Sequence, residues 1–402
     1  KMRAFRRAQE ILAGMNEYLD EADWYTTDWL ETLIGEIDAV FDSSCNRWRG
    51  LYRSALNQYN IQNRLAVDAS RSKREKDRAK RLSDEARSQL DLLTEIKAAV
   101  FSDYYSYRYF ATEGFLPGYN FPRLPLSAYI PGRKVKSRDE YLSRPRFLAI
   151  SEFGPGATIY HEGSRYKIKK VILPVSAEGE LTTHAAKCCP NCGYLHPIKQ
   201  SAAFDLCEIC RAELDLPLTS LFQLQNVSTV RTERINSDEE ERLRLGYEIK
   251  TTFRFSRREG VPLYQMAEVL IGDTLLARMK YASAATIWRI NKGRKTKARQ
   301  GQIGFELDTE TGWWVSSDKE EEESQEEVPQ DYSRSRKRVI PFVEDRRNCL
   351  LFSPENALDM PAAASLQAAL KRAIQVEFQL EESELAVEPL PEQNNRRHLL
   401  FY

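Results

Sequence analysis

Two CxxC pairs set close together constrain this chain more than any other feature. Cys189-Pro190-Asn191-Cys192 and Cys207-Glu208-Ile209-Cys210 are separated by fourteen residues. A CxxC segment closes as a knuckle in which two thiolates converge on one ion, and two knuckles make a closed tetrahedral site with metal–sulfur distances of about 2.3 Å. Such a site leaves no position for water or substrate. The expected ion is therefore a structural Zn²⁺, pinning a loop region that is poor in strands and could not otherwise bury a core. Zinc ribbons have this spacing, and the ligands it assigns are Cys189, Cys192, Cys207 and Cys210. Iron–sulfur chemistry, another metal or unliganded buried thiols are the alternatives. Cys188 precedes Cys189 directly but would pair with Cys192 as CxxxC, and His184 and His196 are near enough to be considered. A lone histidine is more often a surface or core residue than a ligand.

The cysteines taken together support this reading. Their total is seven, an odd number, and five of them (Cys188, Cys189, Cys192, Cys207 and Cys210) fall in one short window. That is the pattern of metal binding, not of a secreted disulfide framework. No stretch approaches the roughly 18 apolar residues of a membrane span. The first residues, KMRAFRRAQEILAGMNEYLDEADW, lack the apolar centre of a signal peptide. The expectation is a cytoplasmic protein without a membrane partner.

At 402 residues, with 42% hydrophobic and 29% charged residues, the chain has the balance of a globular protein of two to four domains, which excludes disorder throughout. From Ala4 to about Val100 the apolar residues recur at helical spacing, as in Trp29, Leu33, Ile37 and Phe41 and again in Trp48, Tyr52 and Leu56. Within it Asp68–Arg87 carries few apolar residues and many opposite charges, as an exposed helix or coiled-coil arm would. Between Phe101 and Pro145, Gly and Pro are dense enough to break helices, so the aromatics there are expected on an extended or looping segment. Short runs such as FLAI, TIY and YKIKKVIL, between Arg146 and Pro174, read as a small β unit.

Further strand candidates fill Leu221–Phe255 around a charged turn, Ser237–Arg242, and Gln265–Met279 is ambiguous between helix and strand. Ser317–Tyr332 is acidic and reads as an exposed linker. After it come a strand (Cys349–Phe352), a helix (Pro361–Phe378) and two strands (Leu385–Leu390 and His398–Tyr402). The fold expected is α+β. It comprises a helical bundle or arm over 1–100 and a β-rich accessory domain over 101–315 with the zinc site at 188–214. A charged linker over 316–338 and a truncated mixed α/β module over 339–402 complete it. The chain opens with Lys1 before Met2 and stops inside a strand-like segment, so a piece of a longer polypeptide is expected.

Lys+Arg 59 balances Asp+Glu 59, so any nucleic-acid partner has to be found in local clusters. Leu276–Phe305 carries Arg278, Lys280, Arg289, Lys292, Arg294, Lys295, Lys297 and Arg299 without one acidic residue, and Tyr281 and Trp288 could stack on bases. A second cluster holds Arg133, Lys134, Lys136, Arg138, Arg144 and Arg146. The alternative for both is a solvated basic loop. The tyrosines of Tyr104–Phe110 read as packing between the helical and β parts, ahead of a base-stacking platform. No phosphate-binding GxxxxGK[ST], DExH, GxGxxG, HExxH or GxSxG segment occurs, and only four histidines exist, so no catalytic centre is expected in this span. The acidic run Asp238–Glu241 reads as a solvated turn before it reads as a metal site.

Several blocks together resemble a known family. They are YRYFATEGFLPGYNFPRLPLSAYIPG, RPRFLAISEFGPGATIYHEGSRYKIKKVILP, KCCPNCGYLH with CEIC, SDEEERLRLGYEI and the final RRHLLFY. This order is similar to the C-terminal region of large bacterial DEAD/DEAH-box helicases. That region holds a four-cysteine domain of formally unknown function, shared with the MrfA-like repair helicases and with the helicase components of the DISARM and Druantia antiphage systems. The resemblance covers most of Phe101–Tyr402. It implies motor lobes preceding Lys1, with ATP and Mg²⁺ on those lobes alone, and a zinc-containing accessory domain that engages DNA or docks a defence-system subunit. Its zinc ligands fall on Cys189, Cys192, Cys207 and Cys210, and no motor residue carries over. In that family the final strand runs on into a Gly-rich turn, absent here, which agrees with truncation. The rival expectation is an interaction scaffold with structural zinc and no nucleic-acid contact.

Overall fold

The computed structural model describes residues 1–15, 19, 27–94, 106–113, 115–116, 125–131, 140–173, 181–198, 205–234, 246–258, 260–295, 301–309, 311–315 and 335–402. It is an α+β protein of two compact units. One comprises Lys1–Lys97 with Tyr104–Pro117, and the other Ala98–Asp103 with Gly118–Tyr402. Among the described residues no helix is long and apolar enough to cross a membrane.

The first unit is built from α1 (Met2–Ala13), the long α2 (Thr27–Val67), α3 (Lys73–Thr94) and the short α4 (Ser106–Thr112). The charged stretch expected to form one arm is broken by a turn. Asp68 accepts hydrogen bonds from the Ser70 amide (2.9 Å) and hydroxyl (2.7 Å). Ser72 then begins α3 in a capping box, its hydroxyl accepting from the Glu75 amide (3.3 Å) while the Glu75 carboxylate accepts from the Ser72 amide (2.9 Å). The chain doubles back, and α3 runs antiparallel along α2: Ser83 bonds Asn63 (2.9 Å) and the Trp48 indole reaches the Leu93 carbonyl (3.2 Å). Ala79, Ser83 and Ala86 are buried, so α3 has a seam of small residues where the sequence shows mostly charge.

The aromatic segment also departs from expectation. Tyr107, Tyr109 and Phe110 lie on the helix α4, and Tyr109 is buried within this unit. Its hydroxyl donates to the Ser44 carbonyl (2.5 Å) and accepts from the Trp48 amide (3.0 Å).

In the second unit, β1 (Leu126–Ile130), β2 (Glu140–Arg144), β3 (Thr158–His161), β4 (Ser164–Val171) and β8 (Val227–Arg234) form a five-stranded sheet in the order β2-β1-β8-β4-β3. FLAI is not a strand. It lies in helix α5 (Arg146–Glu152), because Ala149, Ile150 and then Phe153 fall on one helical face and bury together against the sheet.

A second, ten-stranded sheet is organised by two long strands, β13 (Thr274–Arg294) and β15 (Arg336–Pro354), which pair antiparallel from Ala277↔Pro354 to Ile290↔Phe342. The other side of β13 is shared, with β12 (Gln265–Ile271) on its first half and β9 (Tyr247–Phe255) on its second. Gln265–Met279 is thus strand. β7 (Leu218–Gln223) and β17 (Asn395–Phe401) add to β15, and β16 (Val387–Glu392) adds to β17. β5 (His184–Cys188) and β6 (Leu195–Pro197) complete the path through β7. The short β10 (Arg257–Arg258) and β11 (Val261–Pro262) pair as a hairpin, and β14 (Phe305–Asp308) pairs with the start of β15.

Helix α6 (Met360–Glu377) starts where Asp359 accepts from the Ala362 amide (2.7 Å), and it buries Leu366, Leu370 and Ile374 beside β17. The elements expected after residue 339 are therefore present, but they do not form a separate module. β15 and β17 belong to the same sheet as β9 and β13, since each edge finds its hydrogen-bond partners there. The turn at 237–242 and the acidic stretch at 317–332 lie outside the described residues.

Candidate metal centre

The two knuckles are copies of one backbone device. In the first, the Cys189 amide donates to the Tyr194 carbonyl (2.9 Å) and the Gly193 amide to the Cys189 carbonyl (3.0 Å). In the second, the Cys207 amide donates to Ala212 (2.8 Å) and the Arg211 amide to Cys207 (2.9 Å). The residue after each closing cysteine is left-handed, Gly193 at φ 74° and Arg211 at φ 62°. Glycine is demanded at 193 for a second reason: an added Cβ would lie 2.9 Å from Leu390 on β16. Amides of Asn191 and Cys192 point at the Cys189 sulfur, and that of Ile209 at the Cys207 sulfur, each at 3.4 Å. They would stabilise thiolate charge there.

The four sulfurs lie within 4.8 Å of one another, with Cys189–Cys210 at 3.4 Å and Cys192–Cys207 at 3.6 Å. A tetrahedral ion at about 2.3 Å from each sulfur requires sulfur–sulfur separations of about 3.8 Å, so the cage fits one metal ion with little adjustment. Its protons are unevenly held. The Cys189 thiol is pushed far down by hydrogen bonds from Cys192 and Cys207, while Cys192 is pushed up, first by Cys189 beside it. Cys210 falls to about 6 through its contact with Cys192, and Cys207 rises to about 12 through Cys189. The two lowered thiols, Cys189 and Cys210, supply the negative charge that an arriving cation meets, and its binding displaces the protons held by Cys192 and Cys207.

The cage is not an autonomous loop structure. Cys189, Cys192 and Cys207 are buried with Tyr194, Phe253, Phe255, Ile287, Leu351, Leu390 and Leu400, a core drawn from β9, β13, β15, β16 and β17. The sequence reading of a strand-poor region without a core of its own is therefore corrected: the knuckles plug into the face of the large sheet. Cys188 is on β5, where strand alternation turns it away into a different cluster with Leu221, Ile290 and Phe342. His184 packs edge-on against Phe342, and His196 packs against Tyr194, so neither joins the cysteines.

Residues around the cage fasten it to the sheet. Glu208, inside the second CxxC, accepts from Arg257 (2.7 Å), with Arg254 at 3.9 Å and His196 at 4.0 Å. Arg254 also bonds the Leu195 carbonyl (3.0 Å), and Arg397 on β17 donates to Asn191 in the first knuckle (2.6 Å). Sequence reasoning missed this shell. The signal for it was the pair of polar residues, Asn191 and Glu208, placed inside the knuckles where only the cysteines are required.

The basic residues expected at nucleic acid are distributed differently. Arg289 is ion-paired to Glu388 and lies over the Phe147 ring (5.4 Å), and Lys292 pairs with Glu248 (2.6 Å). Arg278 pairs with both Glu268 (3.3 Å) and Glu355 (2.6 Å), and Arg144 with Glu152 (2.7 Å). Glu248, Glu355 and Glu388 are brought to these cations from 44 to 99 residues away in sequence, whereas Glu152 and Glu268 are near neighbours. Arg294 is half-buried against Gly156, and Lys295 is exposed at the end of β13. Arg133, Lys134, Lys136, Lys297 and Arg299 lie outside the described residues. No family model, characterised protein or solved structure matches the chain.

Proposed function

We propose that this chain is a zinc-pinned accessory region of a larger ATP-dependent DNA helicase or translocase of the kind used in bacterial antiphage defence. The observation that carries the reading is the closed thiolate cage, whose four positions are all filled by protein and whose surroundings are an aromatic core. Zn²⁺ suits four thiolates in a tetrahedron, and in such a site it has no open coordination position for chemistry. Its role is to hold the sheet. The helicase assignment rests on the order of sequence blocks, and nucleic-acid contact rests on Lys295 and Arg294 with the cations that flank them in sequence.

Two measurements test this. Purified protein is expected to contain one zinc per chain and to lose it in Cys189→Ser with Cys192→Ser; retained zinc would refute the ligand assignment. Charge reversal at Arg294 and Lys295 is expected to weaken DNA binding by the purified protein and to flatten its salt dependence by about one unit of slope for each phosphate no longer neutralised. Unchanged binding would remove that surface. A second reading, a protein-interaction scaffold with structural zinc, is favoured by the internal pairing of Arg278, Arg289 and Lys292, which takes three cations out of a phosphate-facing role. It predicts no salt-sensitive DNA binding at all.

A further inference from the structure

The outer strands of the large sheet end it in two ways. β16 carries Pro389 and Pro391, which have no N–H to give a further strand, and it exposes only Glu392. β6, β9 and β14 have no exposed residue. β12 differs from all of these. Six of its seven residues are exposed, with Met266, Leu270 and Ile271 at 61%, 53% and 70%. Among the described residues it pairs with β13 alone, so its other edge presents the N–H and C=O groups of alternate residues to water.

Nothing in β12 blunts this edge. The run from Gln265 to Ile271 has no Pro, Gly, Lys or Arg. Its one charge, Glu268, is held across the ladder by Arg278 (3.3 Å), which also pairs with Glu355 (2.6 Å). The register shift between Val269 and Leu270 places the extra residue, Leu276, on β13, so β12 itself runs on without a bulge. A long, regular, apolar edge is a template for another strand. Backbone chemistry therefore fixes what it accepts: an extended segment with apolar side chains to lie beside Met266 and Leu270.

A second copy of the chain supplies such a segment. Two identical edges pair antiparallel about a two-fold axis, each giving its outward N–H groups to the outward C=O groups of the other. With the axis at Ala267, Leu270 lies opposite Tyr264 of the second copy and Glu268 opposite Met266, so like charges do not face each other. Because the other outer strands of this sheet are buried or carry proline, the pairing closes at two chains and does not propagate. We infer that β12 is a dimerisation edge, across which the β12–β13 hairpins of two copies form one four-stranded antiparallel ribbon. This goes beyond the accessory-region reading and stands without it. Two such edges bury on the order of 800 Å² in all, below a standard interface, so the dimer is expected to be micromolar and to respond to concentration.

Sedimentation equilibrium of the full chain is expected to show a monomer–dimer equilibrium. Met266→Lys with Leu270→Lys should weaken it about tenfold or more, since lysine on an edge strand opposes edge pairing. Both positions are exposed, so circular dichroism should be unchanged. Val376→Lys with Phe378→Lys, at comparably exposed apolar positions near the end of α6, should leave the equilibrium as it was. Ala267→Cys should give a disulfide-linked dimer under mild oxidation, because the axis brings its two copies within the roughly 6.8 Å Cα separation that a disulfide spans, and Ile271→Cys should not. A chain that stays monomeric up to about 0.1 mM would overturn the inference. So would a dimer undiminished by the two lysines on β12, or one equally lost in the Val376/Phe378 variant. A cross-link through Ile271→Cys with none through Ala267→Cys would overturn the two-fold pairing.

Discussion

Among the described residues of the helical unit the buried side chains are mostly small, Ala55, Ala79 and Ala86 with Ser54 and Ser83 beside Leu30 and Tyr109, whereas the β-rich unit buries Tyr166, Tyr194, Phe153, Phe253 and Phe255 almost completely. Small residues let α2 and α3 approach closely, but they release little apolar surface from water. The unit relies instead on specific polar links, such as Tyr109 to Ser44 and Trp48. Large aromatics release far more, at roughly 25 cal/mol per Å², and three of them, Tyr194, Phe253 and Phe255, gather around thiols that are costly to bury without a metal. Stability in the two regions therefore has different origins, and each should break in its own way.

Metal removal should have the largest effect. A structural thiolate site contributes on the order of 10 kcal/mol to folding at neutral pH. Chelation, or Cys192→Ser, is expected to abolish hydrogen-exchange protection across β9, β13, β16 and β17 and to spare α2 and α3. Protection that survives in β16 and β17 would mean that the aromatic core stands without the ion. Next, Phe253→Ala should destabilise the β-rich unit by about 3–5 kcal/mol in chemical denaturation, through the cavity it leaves beside Tyr194 and Phe255. A cost below about 1 kcal/mol would place the burden on the cage alone.

Acid should sharpen the contrast. His398 on β17 is half-buried, bonded to Ser353 (2.9 Å), and held down to about 4 chiefly by desolvation. Because the unfolded chain takes up this proton at a higher pH than the folded one, the contribution is complete above about pH 6.5 and is lost as pH falls toward 4, amounting to roughly 3 kcal/mol. His398→Gln should flatten the stability profile of the β-rich unit over that window relative to the parent. An unaltered profile would remove His398 as the cause.

In the helical unit, Tyr109→Phe should cost about 0.5–1.5 kcal/mol, since it removes the hydroxyl that bridges the Ser44 carbonyl and the Trp48 amide, which can then bond each other along α2, and thermal melting would read it. The smallest effect separates the two knuckles. Arg211→Gly should stabilise by about 0.5–1 kcal/mol, because a left-handed backbone strains arginine and not glycine. A loss of stability there would show that the arginine side chain matters more than its φ.

The knuckles were readable because CxxC spacing is a local rule: two thiols three residues apart converge whatever surrounds them, and which four cysteines cluster follows from the residues alone. Strands with alternation and turn residues, such as TIY and YKIKKVIL, were readable for the same reason, as was α6 with Asp359 and Pro361 at its start. FLAI was misread since a short apolar run has no period long enough to separate helix from strand, and burial on the sheet decided it. The charged stretch after Asp68 concealed a seam of alanines whose meaning depended on α2 lying opposite.

By itself, then, the sequence determined the α+β class, the four cysteines that converge where a metal ion could be held and the long helical start, all properties written in spacing over a few residues. Tertiary structure alone decided that the cage is embedded in the sheet and that the last strands belong to the same sheet. It also decided that Arg278, Arg289 and Lys292 are neutralised by Glu355, Glu388 and Glu248. Those outcomes depend on which distant segments become neighbours, and strand pairing across tens to hundreds of residues leaves no local mark by which a neutral chain's cations can be told apart.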